Sequence, residues 1–174
     1  MRLEKWALLA EIIGAIAVVI SLTFVGVQVR QSAAQTASNT EALQASTYSS
    51  GIRLLNDWRF AGAGDPELAE LWVEYNERGT AGIDDIRRQR LQFYLTSLWS
   101  IYEQAYFSRN YGTLGLQESR RFLKVACEIY LSEIEKESDP EQYGEQSITW
   151  ATLGLYLTEE FVRYIETSCG SGAQ

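Results

Sequence analysis

Glu103 stands with Trp99, Tyr106 and Phe107 within one helical turn. A carboxylate among aromatic rings loses hydration and gains proton affinity, and a neighbouring phenol can share the proton. Glu103 and Tyr106 are therefore the candidate acid–base pair of this chain. At 100° per residue Glu103 falls about 140° from the centre of the apolar stripe on its helix. On such a flank, a carboxylate that hydrogen-bonds a neighbouring helix or pairs with an arginine competes with any catalytic role.

Two other clusters have the right residue types for binding. Arg87 to Arg90, "RRQR", is a cationic turn that suits an acidic ligand, but Asp84 and Asp85 beside it favour a solvated, locally paired helix start. Glu67, Glu70 and Glu74 share one helical face and offer oxygen ligands for a hard cation. Without loop oxygens they read as a solvated face, and no metal site is expected.

The chain has no histidine. That excludes hydrolysis through an imidazole base, HExxH zinc sites and the Glu-x-x-His pattern of di-iron bundles. No GxGxxG, P-loop or nucleophile elbow occurs, so neither a cofactor nor an enzymatic activity is expected. Cys127 and Cys169 form no CxxC motif, and the expectation is buried or incidental thiols rather than a disulfide.

Charge narrows the partners. Residues 1–60 carry five basic and four acidic groups, whereas the remainder carries ten basic against nineteen acidic. An acidic carboxyl-terminal part repels phosphate backbones and anionic headgroups, which makes nucleic acid an unsuitable partner. Contact with a bilayer must then come from apolar residues.

Residues 6–29 supply them. Trp6 to Val29 hold one acid, Glu11, and one amide, Gln28. At about 1.5 Å per residue the stretch makes roughly 36 Å of helix, enough for a hydrocarbon core about 30 Å thick. Trp6 beside Lys5 and Arg2 suits one interface, and Arg30 can snorkel at the other. Ala10 and Gly14 form a small-xxx-small step, and Ser21 is a further small residue at which helices can approach in lipid. Arg2 and Lys5 before the span balance Arg30 and Arg53 after it. The positive-inside rule does not separate the two orientations, and the cytoplasmic side is adopted as the expectation.

Three alternatives compete with a plain anchor. Ser32-Ala33-Ala34 offers a signal-peptidase site, although Glu11 and Arg30 fit that reading poorly. A soluble core helix would need a large protein to cover it. A ring of Glu11 carboxylates at the mouth of an oligomeric pore is the third, with Ser21, Thr23 and Gln28 as the other polar lining.

Beyond the span, residues 30–51 are polar and small, a juxtamembrane stalk that can be helical. Residues 52–174 form the acidic helical domain, opening on a short amphipathic segment with Ile52, Leu55 and Trp58. "DPELAELWVEYNERG" places Asp65 as N-cap, Pro66 at N1 and Gly79 past the end. A long helix is expected from near Asp84 to before Gly112, with Leu91, Tyr94, Leu95, Leu98, Ile101, Tyr102 and Ala105 on its core face. "QESRRFLKVACEIYLSEIEKE" turns Phe122, Leu123, Ala126, Ile129, Tyr130 and Ile134 inward. "LTEEFVRYIE" takes Thr158 as its cap, and "DPEQ" repeats the Asp-Pro start at Asp139. No alternating strand pattern appears, so the fold class is all-α: one transmembrane helix followed by a small helical bundle.

Glu11–Leu22, "EIIGAIAVVISL", and Gln28–Gln31, "QVRQ", resemble the opening of a family of small, uncharacterised bacterial single-pass membrane proteins. Tyr102–Phe107, "YEQAYF", and Glu160–Ile165, "EFVRYI", are similar to that family's aromatic-rich carboxyl-terminal helices. The stretch "QSAAQT" after Arg30 and "GTLGLQESRRF" depart from the pattern. The resemblance implies an anchored helical domain in a bacterial inner membrane and no particular chemistry. The combined expectation is an accessory or scaffold protein, held in the bilayer, whose helical domain binds a protein partner or self-associates.

Overall fold

The computed structural model describes residues 2–143 and 148–170, with the side chains of residues 2–5 and 7 excepted. Among the described residues the chain is all-α, with seven helices and no strand. It divides into two compact units, Met1–Ala42 and Leu43–Gln174. The first helix, α1 (Arg2–Gly64), contributes to both.

In the first unit every described side chain from Leu8 to Val29 is exposed, including Leu9, Ile13, Ile20, Leu22 and Phe24. By length and composition this is the one described helix able to cross a membrane. The polar tract that follows is helical. Its threonine hydroxyls return to their own backbone, Thr36 Oγ1 to the Ser32 carbonyl and Thr40 Oγ1 to that of Thr36, both at 2.9 Å.

The second unit begins nine residues before the expected boundary at residue 52. Tyr48 sets its ring edge-on to Phe122 at 6.1 Å, and Gln44 Nε2 donates to the Gly112 carbonyl at 3.1 Å. No separate helix starts after Gly51. A side chain at Gly51 would bring its Cβ to 3.0 Å from Phe122 Cζ, so glycine is there for close approach rather than for a turn. Gly62 repeats the device against Tyr94, whose hydroxyl occupies the place a Cβ would take.

α2 (Pro66–Arg78) starts and stops on the expected signals. Asp65 Oδ1 accepts from the Leu68 amide at 3.0 Å, and Gly79, at φ 65°, returns its N–H to Tyr75 O at 2.9 Å. α3 (Asp85–Asn110) is capped by Asp84 and lies at the centre of the unit. Its expected stripe is inside, with Tyr94 and Ile101 half-buried at the edges. Trp99 and Tyr106 are buried as well, because α3 is covered from more than one side. α4 (Leu116–Ser138) packs along α3 and buries Phe122, Leu123 and Ala126, leaving Ile129, Tyr130 and Ile134 half-buried.

The short α5 (Pro140–Tyr143) follows its Asp139 cap, and α6 (Trp150–Gly154) opens with a Thr149/Thr152 capping box. α6 shows no sequence periodicity because it is barely one turn long, yet it delivers Trp150 to the Trp99 ring at 4.8 Å. α7 (Glu159–Gly170) buries Phe161, Ile165 and Cys169 along one face. Cys127 of α4 and Cys169 of α7 are joined in a disulfide, with Cα atoms 5.2 Å apart. This corrects the expectation of incidental thiols. Both cysteines lie on the inner edges of amphipathic helices that pack together, a relation that sequence separation conceals.

Candidate functional site

Glu103 and Tyr106 each bond to the α7 region rather than to one another. Glu103 Oε1 accepts the Thr158 backbone N–H at 2.7 Å, holding the chain at the start of α7. Tyr106 Oη donates instead to Glu160 Oε1 at 2.9 Å, and its ring packs on Tyr164 and Phe161 of the same helix. Burial is the largest cause of a raised proton affinity at Tyr106. The two residues thus act on the α3–α7 contact at successive points. Glu103→Ala is expected to destabilise the fold by about 1 kcal/mol, the usual loss when a side-chain acceptor at a helix start is removed. Chemical denaturation reads this directly, and an unchanged midpoint would show that the Glu103 contact contributes nothing.

The cationic turn joins α2 to α3. Arg87 Nη2 meets Glu74 Oε2 at 2.8 Å, and Arg90 binds both Glu67, at 2.7 Å, and Asp65. Only Arg88 pairs within its own helix, with Asp85 at 3.1 Å. The expected local pairing is therefore confined to Arg88. The acidic series is likewise no simple solvated face, since two of its members fasten the helix pair. Among the described residues no group of three or more acidic or cysteine side chains is arranged around a metal position.

Glu11, Ala10, Gly14 and Ser21 all lie exposed on α1 in the first unit. Nothing approaches within 4 Å of where a Cβ on Gly14 would be. Thr23, one of the expected polar lining residues, directs its hydroxyl to the Val19 carbonyl at 2.8 Å, which satisfies it within the helix. The flanking side chains of Arg2 and Lys5 lie outside those described.

Sequence reasoning missed a buried polar cluster. Glu133 and Lys136, on α4, are each 4% exposed, and Tyr75 of α2 is fully buried. Lys136 Nζ meets Glu133 Oε1 at 3.1 Å and stands 4.0 Å above the Tyr75 ring. The Tyr75 hydroxyl donates to the other Glu133 oxygen, and Asn76 Oδ1 lies at 3.5 Å from Lys136. Burial first, and then the Glu133 charge, push the Tyr75 phenol far above its ordinary range. The i, i+3 spacing of Glu133 and Lys136 was readable, but a charged pair at that spacing is normally solvated. The arrangement ties α2 to α4.

Tyr102, also buried, has its phenol pushed up to about 12, chiefly by desolvation. A folded-state value above the unfolded one means that the fold favours the neutral phenol. That contribution is complete below about pH 10 and is lost as pH rises towards 12. Stability should fall across this window, with Tyr75 and Tyr102 ionising together with unfolding in a phenolate absorbance titration. Ionisation of all ten tyrosines before unfolding would contradict it.

These features define the class: an all-α protein with a disulfide-linked helical domain and one helix long and apolar enough to span a bilayer. Comparison with protein-family models, curated proteins and solved structures finds no match.

Proposed function

We propose that this protein is a single-pass bacterial inner-membrane protein of the resembled family, a non-enzymatic accessory protein whose folded domain binds a protein partner or self-associates. The observation that carries the anchor is the run from Leu8 to Val29, apolar and exposed throughout. In water that surface would be an aggregation hazard, whereas in lipid it is the ordinary state of a spanning helix. The non-enzymatic reading is supported by the occupied state of the candidate groups: Glu103 and Tyr106 hold α7, and Glu133 is paired and sealed from solvent.

The disulfide moves the proposed orientation away from the cytoplasmic expectation. Disulfides persist in the periplasm and are reduced in the cytosol, so the domain belongs on the oxidising face of the membrane. Partner binding is supported by a groove of about 350 Å³ walled by Trp58, Trp72 and Tyr94, residue types that dominate binding energy at interfaces.

The test is alkaline extraction of native membranes combined with surface proteolysis of spheroplasts and crosslinking. The expected result is an extraction-resistant chain, a domain cleaved without lysis, and crosslinked adducts with another polypeptide or a second copy. Release by alkali would end the anchor reading. Protection of the domain until lysis would restore the cytoplasmic orientation. An absence of adducts would count against binding.

A further inference from the structure

The segments of α1 and α4 that meet in the second unit differ in charge from the rest of the domain. The α1 segment in the second unit carries Arg53 and Arg59 against Asp57, and the first half of α4 carries Arg120, Arg121 and Lys124 against Glu118. Cations prevail here within a part of the chain that is strongly acidic overall.

A groove of about 140 Å³ opens on this face. Tyr48, Ile52, Leu55 and Arg59 recur at intervals of three and four along α1 and form one wall, and Arg121, Phe122 and Val125 of α4 form the other. Leu55 and Phe122 are buried at the floor, while Ile52 and Val125 remain 37% and 41% exposed. The lining is therefore mostly apolar, with two guanidinium groups among it. Among the described residues neither Arg59 nor Arg121 forms an ion pair. Arg59 reaches only Asn56 Oδ1, at a long 3.4 Å, whereas Arg87, Arg88 and Arg90 all have carboxylate partners. The acid that contributes to the electrostatics at Tyr102 in the floor, Glu128, approaches Lys124 at 3.8 Å.

We infer that this groove binds a single-chain anionic amphiphile of the fatty-acid class, its carboxylate on Arg59 and Arg121 and its chain along Ile52, Leu55, Phe122 and Val125. Charge complementarity selects an anion, because an unpaired guanidinium fork matches a carboxylate with two parallel hydrogen bonds. The apolar walls select a hydrocarbon tail over a small free anion. At about 140 Å³ the groove is smaller than the roughly 300–1,000 Å³ of pockets that enclose a whole ligand, so it covers part of one chain and has no room for the two of a phospholipid. The inference concerns the second unit alone and does not depend on the anchor or on a protein partner.

The experiment uses the full chain in nanodiscs of zwitterionic phosphatidylcholine, with a diazirine-bearing palmitic acid as photoprobe and mass spectrometry to locate its adducts. Adducts are expected on α1 between Tyr48 and Arg59 and on α4 between Arg121 and Val125. Yield should fall about tenfold or more in the double variant Arg59→Gln/Arg121→Gln, the loss expected for removing two charge-assisted hydrogen bonds. Arg59→Lys/Arg121→Lys should retain much of it. The primary amide of the same probe should label poorly. Both arginines are exposed, so the variants should fold, and resistance of the cysteines to maleimide before reduction checks that they do. Equal labelling by acid and amide, or by wild type and the Gln variant, would reduce the groove to a nonspecific apolar contact and overturn the inference. Adducts confined to residues 12–29 would overturn it as well, because they would report partition into lipid alone.

Discussion

Replacing Cys127 or Cys169 by serine is expected to destabilise the folded unit by about 4 kcal/mol, the loop-entropy value for a cross-link between residues 42 apart. For a unit of this size that corresponds to roughly 10–15 °C in melting temperature. The argument rests on what the bond constrains. Without it, the unfolded chain recovers the freedom of everything from the middle of α4 to the end of α7, while the native contacts of Phe161 and Ile165 stay available. The loss should therefore appear as lower stability of an otherwise unchanged fold. Thermal unfolding of the Cys127→Ser, Cys169→Ser and double variants, beside wild type with and without reductant, checks this. The three variants should match one another and reduced wild type. Equal melting of oxidised and reduced wild type would show that the cross-link constrains nothing that matters.

The second large effect is expected at Glu133 and Lys136. Glu133→Gln preserves shape and an acceptor for Tyr75, but it leaves the Lys136 ammonium, 4% exposed, without its counter-ion. Removing one member of a buried ion pair typically costs about 3–5 kcal/mol. Lys136→Met should cost a similar amount by stranding the carboxylate, with the Tyr75 hydroxyl as its remaining donor. The triple change Tyr75→Phe/Glu133→Leu/Lys136→Leu removes every polar group together, and buried ion networks replaced in this way are often neutral or more stable by about 1–4 kcal/mol. Urea denaturation of the single, double and triple variants distinguishes the cases through the non-additivity expected of groups in contact. Single variants within about 0.5 kcal/mol of wild type would mean that water reaches the cluster in solution.

Much of this fold is legible because its helices announce themselves locally. Asp65-Pro66 and Asp84 set helix starts through their own side chains, and the Leu91–Ala105 stripe needs only a 3.6-residue period to be seen. What stays hidden depends on which helix meets which. Trp99 lies beside the apolar stripe, yet it is fully buried because α6 covers it with Trp150. Glu133 and Lys136 have the spacing of a solvated pair, and only the arrival of Tyr75 from α2 makes their burial tolerable. The candidate site divides in the same way. The flank position of Glu103 implied a bond to a neighbouring helix, which the Thr158 amide supplies. The Arg59/Arg121 groove has no local signature, since its two walls are separated by the whole of α2 and α3. The start of the folded unit at Leu43 was obscured because polar, small residues such as Gln44 dock through single contacts rather than through an apolar period.

Two cysteines permit a single intramolecular pairing, so maturation of this chain calls for a thiol oxidant but no shuffling of wrong partners. Cys169 lies in the last described helix. During synthesis Cys127 emerges well before it, and through that interval a lone thiol is available to other sulfur compounds. The bond therefore marks a chain in which α7 has emerged and packed. Its presence in material taken from cells would report that α7 has docked on α4, readable by a simple shift in gel mobility after alkylation.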